Sequence, residues 1–488
     1  METVDPAART WFLALWTGAG SLVALVGATA VDGGAAQVFE RTMIVVISCC
    51  VLAIARYVTP AYFGAAGIAL TVFSGHWGTL GVPLPLDRVL LGVAILSALA
   101  RYLGNPVPGT RIVRPVHGLL IAAAVLAVAS AVWSGTLEDS ATRFALLDNF
   151  GLVPFAMFIV APLIFPGPRE RAVLLGALVA TGAYLGLVAL FESIGADSLV
   201  WPRYILDPGV GVHVGRARGP FTEAVANGLA LYVCGAAAVA AAVTWRRPIA
   251  RAAASGVVLL CAAGLFLTLT RSIWLASAVA TAIVMLTRRP LRRYVVPVAL
   301  VAIVGVAASI SVVPSLADKV QQRQADERSI WDRQNQNGAA LRMVADRPLL
   351  GFGFGAAQTK RLDYVWQSAD FPLTGANVGI HNAFLGLAVQ LGMLGALLWA
   401  AAFIATVGSA ACRRGPPGLE PWRLGLLAIA VQGLLVQNFV PGSYPFTILV
   451  TWLVAGCISG ARADALDAAG AAASVRPSFA EAVHPSVA

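Results

Sequence analysis

Residues 381–400, HNAFLGLAVQLGMLGALLWA, are typical of the segments from which most of this chain is built. The stretch holds no acidic residue, lysine or arginine, and it is long enough to cross a bilayer as an α-helix. In lipid, backbone groups find partners only in a helix or a closed barrel, and the run lacks the alternation of a barrel strand. It therefore predicts a membrane-spanning helix that begins at His381.

Similar runs recur along the chain, which has 488 residues, 58% of them hydrophobic and 12% charged. A soluble domain carries about 25% charged residues. We therefore predict an all-α polytopic integral membrane protein with about 12–14 transmembrane helices. The predicted spans are 11–31, 41–58, 61–77, 86–103, 115–134, 146–165, 171–191, 223–243, 251–269, 271–287, 294–312, 381–406, 421–439 and 443–460.

Basic residues are concentrated in alternate short loops, for example Arg246, Arg247, Arg288 and Arg289. Cytoplasmic loops carry this excess, so we predict that both termini are cytoplasmic. The net charge of +10 is then explained by these loops, and we expect no nucleic-acid partner. The last residues, rich in alanine, are predicted to be disordered.

This pattern divides the chain into four parts. We predict an N-terminal transmembrane bundle over 1–312 and a long outer loop over 313–380. C-terminal transmembrane helices follow over 381–460, and a disordered cytoplasmic tail over 461–488.

The long outer loop holds an amphipathic segment at 316–345. Its apolar stripe is broken, and it consists of Val320, Ile330, Trp331, Leu341 and Val344. Two arrangements fit this pattern: helices that lie on the membrane, or helices that pack on the bundle and hold arginines over a cavity.

The stretch DRPLLGFGFGAAQ, residues 346–358, places glycine at every second position from Gly351 to Gly355. A dinucleotide site needs a strand before such glycines and a helix after them, which an exported loop following a proline does not provide. We predict instead a non-helical bend, with the Phe352 and Phe354 rings at the membrane interface.

His381 stands at the mouth of the bundle, where a histidine is either a helix cap, an interfacial residue or a catalytic group. The six cysteines have no metal-ligand spacing, so we interpret them as small packing residues and expect no metal site and no cofactor.

Five motifs follow one another in order: GRARGPF at 215–221, LTLTRSIWLA at 267–276, RSIW at 328–331, DRPLLGFGFG at 346–355 and HNAFLGLAVQLGMLG at 381–395. In this order, over about residues 216–400, the chain resembles the O-antigen ligase and polymerase family of bacterial membrane glycosyltransferases. It departs from the family at Gln390, where many members carry an acidic residue.

The resemblance implies a GT-C-like helical bundle in the bacterial cytoplasmic (inner) membrane, with a partly helical outer loop. Family members transfer a glycan from an undecaprenyl-diphosphate carrier to an acceptor on the outer side, with inversion and without a metal. The implied partners are an undecaprenyl-diphosphate-linked glycan donor, a glycan or lipid-linked acceptor, membrane lipids and envelope-assembly proteins.

This chemistry needs a base and cations. His381 is predicted to take the proton from the acceptor hydroxyl, and Asn382 to orient it or to bind the glycan. The predicted ligands of the diphosphate are Arg216, Arg218, Arg271, Arg328 and Arg347, since guanidinium groups match phosphate oxygens.

Two other classes of function stay open. One is a transporter or flippase for a lipid-linked glycan, although the ionisable residues lie mostly at helix ends, Asp148 being the main exception. The other is a structural partner in envelope assembly. Polymerase and ligase are not separated, because the two share the donor.

Overall fold

The protein is described here from a computed structural model, which covers residues 57–82, 84–104, 114–312, 328–366, 379–413, 415–440 and 444–474. The predicted span 11–31, and 41–58 up to residue 56, lie outside these ranges.

The described residues form helices and no strands. In chain order the helices are α1 (Pro60–Leu70), α2 (Leu86–Gly104), α3 (Pro115–Trp133), α4 (Ser140–Ile164), α5 (Pro168–Ile194), α6 (Ala224–Thr244), α7 (Pro248–Leu267), α8 (Arg271–Thr287), α9 (Val295–Val312), α10 (Arg328–Asp346), α11 (Ala383–Phe403), α12 (Glu420–Val436) and α13 (Pro445–Ser474).

Within the described ranges, 7 helices are long and apolar enough to cross a membrane: α3, α4, α5, α6, α7, α11 and α13. The shorter α1 and α8 are also apolar. The chain is thus an all-α polytopic membrane protein, as predicted. The last helix, however, continues beyond the predicted end of its span to Ser474, because the alanine-rich sequence after residue 460 has a high helix propensity.

Several connections meet at one end of the bundle, which we call the His381 end. The backbone N–H of Ala383, where α11 begins, donates to the carbonyl of Gln437 after α12, at 2.9 Å. The hydroxyl of Tyr444, before α13, donates to Glu223, before α6, at 2.7 Å. These bonds place the α5–α6 and α12–α13 connections beside the start of α11.

Helix α11 is interrupted at Gly392, whose φ of 66° and ψ of −177° are not helical. In an unbroken helix the N–H groups of Met393 and Leu394 would bond to the carbonyls of Val389 and Gln390. The interruption leaves two donors and two acceptors inside the membrane bundle, where unpaired backbone groups are costly.

The glycine-rich segment 348–355 satisfies all four groups. Phe352 and Gly353 donate their N–H groups to Val389 at 2.9 Å and Gln390 at 3.0 Å. Met393 and Leu394 donate to the carbonyls of Pro348 at 2.7 Å and Leu349 at 3.4 Å. Segment 348–355 is therefore bound by backbone hydrogen bonds at the break in α11.

This arrangement corrects the predicted role of the bend. Gly351, Gly353 and Gly355 all have positive φ, which glycine adopts most readily, so the segment is non-helical as predicted. The Phe354 ring, however, is 4% exposed and packs edge-to-face on Phe150, rather than lying at the interface. Alternating glycines let the backbone enter the bundle and carry that ring with it.

Helix α10 packs on α11, which favours the second of the two predicted arrangements. Its apolar contacts come from Ala340 and Met343, which join Ile380 and Val389 in one buried cluster. Leu341, predicted to lie on the apolar stripe, is 57% exposed. The buried face of the helix is therefore rotated from the predicted one.

Candidate active site

His381 lies at the His381 end of the bundle, two residues before α11 begins, and it is half-buried. Its Nδ1 is 2.7 Å from the carbonyl oxygen of Gly379. Because a carbonyl only accepts, Nδ1 carries the hydrogen and the neutral ring keeps its lone pair on Nε2. In this tautomer Nε2 is the ring atom that can accept a proton.

Burial lowers the pKa of His381 from its ordinary value of 6.5, and the charges of Arg333 and Arg361 lower the pKa further. The bond to Gly379 and the charge of Asp332 act in the opposite direction. The net effect keeps the imidazole neutral near pH 7, the form that takes up a proton.

Arg333 and Arg361 bring positive charge to this histidine from two different elements. Arg333 belongs to α10 and lies over the ring of Phe439, 5.9 Å from its centroid. Burial lowers its pKa, and so does the neighbouring charge of Arg271, at the start of α8. Arg361 is 4% exposed, and burial lowers its pKa as well. Cations that are partly removed from water attract anions strongly.

The turn that carries Arg361 is held against α10. Arg342 donates from Nε and from its Nη2 to the carbonyl of Tyr364, at 3.0 and 2.7 Å. The hydroxyl of Tyr364 donates to Asp346 at 2.5 Å. One helix thus supplies Arg333 and also positions Arg361.

The arginines predicted from the sequence are placed differently from one another. Arg271 is close enough to Arg333 for its charge to lower the pKa of Arg333. Arg347 is exposed, with its guanidinium 4.8 Å from the centre of the Phe352 ring. Arg328 is the first residue of α10, and its side chain lies outside the described part of the structure. Arg216 is half-buried in the α5–α6 connection.

Arg218 has a setting that does not suit a diphosphate ligand. It is 2% exposed and donates to the carbonyls of Ile205 at 3.0 and 2.8 Å, of Asp207 at 2.5 Å and of Val210 at 2.8 Å. Its own backbone N–H donates to Glu192 at 3.1 Å. The guanidinium is occupied by backbone carbonyls, so it shapes the connection between α5 and α6.

Asn382 is the N-cap of α11. Its side-chain oxygen accepts from the N–H groups of Phe384 and Leu385, both at 3.1 Å. This bonding uses the acceptor that a glycan hydroxyl would need. The residue fixes the backbone next to His381, which matches the predicted orienting role better than glycan binding.

A small apolar cleft of about 40 Å³ lies among α6, α11, α12 and α13. Its lining includes Trp399, Phe403 and Trp452, with Gln437 and Tyr444 on the residues between α12 and α13. The carbonyl of Gln437 accepts from Ala383, two residues after His381. One end of the cleft therefore lies next to the start of α11, two residues after His381.

Sequence reasoning missed Arg333, Arg361 and Asp332. The signal for Asp332 was the helical spacing of 332, 336, 340 and 343, which brings these residues onto one face. No signal of this kind marked Arg361, because its position depends on how the loop folds back onto α10. Among the described residues, no three His, Cys, Asp or Glu side chains are grouped as metal ligands.

The fold and the site together define a polytopic α-helical membrane protein with a histidine and a set of arginines at one end of its bundle. The family model of O-antigen ligases matches residues 256–400, the stretch that holds His381, Arg333, Arg361 and Arg271. The match confirms, over these residues, the predicted resemblance to the O-antigen ligase and polymerase family. The GRARGPF loop lies outside the matched residues. No curated protein matches the chain.

Proposed function

We propose that this protein is an inverting, metal-independent glycosyltransferase of the bacterial inner membrane. It takes a glycan from an undecaprenyl-diphosphate-linked donor and passes it to a hydroxyl of an acceptor glycan or lipid-linked acceptor. The observation that carries this proposal is the His381 ring, held through Nδ1 by the carbonyl of Gly379 at 2.7 Å and close enough to Arg333 and Arg361 for their charges to act on it.

The reaction is a single displacement. His381 Nε2 accepts the proton of the acceptor hydroxyl while that oxygen attacks the anomeric carbon of the donor sugar. The bond between the anomeric carbon and the phosphate oxygen breaks, and its electron pair leaves with the lipid diphosphate. Attack from the face opposite to the leaving group inverts the anomeric configuration.

The arginines stabilise the leaving group. The departing diphosphate gains negative charge, and the guanidinium groups of Arg333, Arg361 and Arg271 offer paired donors to its oxygens. Nε of Arg333 is buried and has no hydrogen-bond partner in the described part of the chain, and a bound anion would satisfy it. Fixed positive charges of this kind act where charge develops in the transition state.

The donor lipid also needs an apolar surface for its prenyl chain. The cleft beside Gln437 is lined mostly by apolar side chains and adjoins the start of α11. A prenyl chain in this cleft would place its diphosphate at the His381 end.

We assign the His381 end to the outer side of the membrane. The connections at the opposite end carry the basic residues Arg246, Arg247, Arg288 and Arg289, and cytoplasmic loops are enriched in such residues. Both termini then lie in the cytoplasm. The acceptor decides between polymerase and ligase, and it binds beyond the shared donor site.

A flippase for the same lipid is the second candidate, because an interrupted helix such as α11 is typical of transporters. In transporters the unwound backbone coordinates the substrate or a coupling ion. Here the carbonyls of Val389 and Gln390 are already bonded to the segment at 352–353. This pairing favours a fixed site for chemistry over a moving gate.

The test supplies purified protein with an undecaprenyl-diphosphate-linked glycan and candidate acceptors. We expect a glycosylated acceptor together with released undecaprenyl diphosphate, and loss of both with His381→Ala and Arg333→Gln. Arg246→Gln, at the opposite end, serves as the matched control and should turn over normally. Movement of the intact glycolipid across vesicles, without cleavage, would instead establish the flippase.

A further inference from the structure

Helix α10 changes character along its buried face. Asp332 and Gln336, in its first half, are 7% and 0% exposed. Ala340 and Met343, in its second half, are both 0% exposed. Residues four apart lie on the same face of a helix, so one continuous buried face is polar toward its start and apolar toward its end.

The position of Gln336 follows from its neighbours on that face. On one side, Asp332 and Arg333 are close enough for their charges to change the pKa of His381. On the other side, Ala340 belongs to the cluster that contains Ile380, the residue before His381. Gln336 lies between these contacts, so it faces the same region of the active site.

The amide of Gln336 is unusual because neither Nε2 nor Oε1 has a hydrogen-bond partner among the described residues. Most buried polar side chains in folded proteins are paired, and an unpaired buried amide is unfavourable. A methionine or leucine would fill the same space without that cost. A buried amide without partners, on the helix that carries Asp332 and Arg333, points to a ligand.

The chemistry of the amide defines that ligand. A primary amide donates and accepts side by side, which suits the hydroxyl groups of a sugar, whereas guanidinium groups suit the diphosphate. One helical turn, about 5.4 Å, separates Gln336 from the level of Asp332 and Arg333. That distance is comparable to the size of one sugar ring.

We propose that Gln336 hydrogen-bonds the hydroxyls of the donor sugar attached to the diphosphate, and so selects which glycan is transferred. This inference rests on the proposed function, because it assumes that Arg333 and Arg361 hold the diphosphate. In this arrangement α10 would bind both parts of the donor, the diphosphate through Arg333 and the sugar through Gln336.

The experiment compares two ligands on the same protein. One is undecaprenyl diphosphate that carries the oligosaccharide of the producing cell, and the other is undecaprenyl diphosphate without a sugar. Gln336→Met should weaken binding of the glycosylated lipid roughly tenfold, the loss expected for one or two hydrogen bonds. It should leave binding of the sugar-free lipid unchanged, while Arg333→Gln should weaken both.

Thermal unfolding separates ligand binding from a structural role. If the amide serves the ligand, Gln336→Met should unfold at the same or a higher temperature than the parent protein, because an unpaired buried group has been removed. Equal affinity of Gln336→Met and the parent protein for the glycosylated lipid would overturn the inference, and so would equal losses for both lipids. Absence of turnover in the parent protein, with the difference in binding retained, would refute the proposed function alone.

Discussion

Nδ1 of His381 donates to the carbonyl oxygen of Gly379 across 2.7 Å. This bond fixes the tautomer of the ring and leaves Nε2 as the acceptor of a proton. Asn382 caps the following helix, so the histidine is held from both sides by backbone contacts. The geometry is that of a base set in place before the substrate arrives.

The pH dependence of transfer should reflect the lowered pKa of His381. Activity needs the neutral imidazole, so the rate should rise with pH, reach half of its maximum below pH 6.5 and level off at higher pH. His381→Ala should lower the rate roughly 10²–10⁴-fold. Initial rates between pH 4.5 and 8 would measure both effects, and a midpoint above 6.5 would contradict the assignment.

The charges around the histidine should move this midpoint in opposite directions. Arg361 lowers the pKa of His381 and Asp332 raises it. Arg361→Gln should therefore shift the midpoint to higher pH, and Asp332→Asn should shift it to lower pH. The same pH–rate profiles, recorded for the two variants, check the signs, and shifts in one common direction would exclude this electrostatic explanation.

Transition-state stabilisation should depend on Arg333 and Arg361. Each charge-assisted hydrogen bond contributes about 1.5–3 kcal/mol, so Arg333→Gln or Arg361→Gln should lower kcat/KM roughly 10–150-fold. Arg246→Gln, at an exposed position of the opposite end, should leave kcat/KM within about twofold. Steady-state kinetics with the lipid donor measure these values. If all three variants had similar kinetics, the arginines would not hold the diphosphate.

Arg218 should matter for folding more than for binding. Its guanidinium donates to the carbonyls of Ile205, Asp207 and Val210, a fork that an ammonium group does not reproduce. Arg218→Lys should lower the free energy of unfolding by about 3 kcal/mol. The exposed Arg203 of the same connection gives the control, since Arg203→Lys should change stability little. Thermal unfolding in detergent compares them, and an inactive but fully stable Arg218→Lys protein would restore the predicted role in diphosphate binding.

Replacing Gly392, at the interruption of α11, by a residue with a side chain should destabilise the protein. A Cβ at Gly392 would lie 2.0 Å from the carbonyl oxygen of Leu349, and the backbone there is one that only glycine readily adopts. Gly392→Ala should destabilise the protein by at least about 3 kcal/mol. Gly386→Ala in the same helix, where a Cβ meets nothing within 4 Å, should be neutral or slightly stabilising. Equal unfolding temperatures of the two variants would show that segment 348–355 is not fastened at the break.

Gln390, where many family members carry an acidic residue, is compatible with the fold. Its Oε1 accepts from the N–H of Gly355 at 3.1 Å, and its Nε2 donates to Gly386 at 3.2 Å. A carboxylate would provide the same acceptor. The structural need at this position is therefore an oxygen beside the break, which glutamine supplies.

The sequence by itself determined the class of protein and the position of the proposed base, His381. Long apolar runs have no alternative to helices in lipid, so the helices were predictable from composition and length. His381 was identifiable because it stands where an outer loop becomes a membrane helix. Both features depend on residues that are neighbours in the sequence, so the sequence alone is enough to predict them.

The tertiary structure decided which arginines lie close enough to His381 to change its pKa. Arg218, in the α5–α6 connection, is occupied by backbone carbonyls, whereas Arg333, in α10, is close enough to His381 for its charge to lower the pKa of the histidine. The difference arises because α10 docks on α11 and segment 348–355 enters the break at Gly392. Contacts between parts of the chain that are far apart in sequence fix these positions. Such contacts cannot be predicted from the spacing of charged residues along the chain.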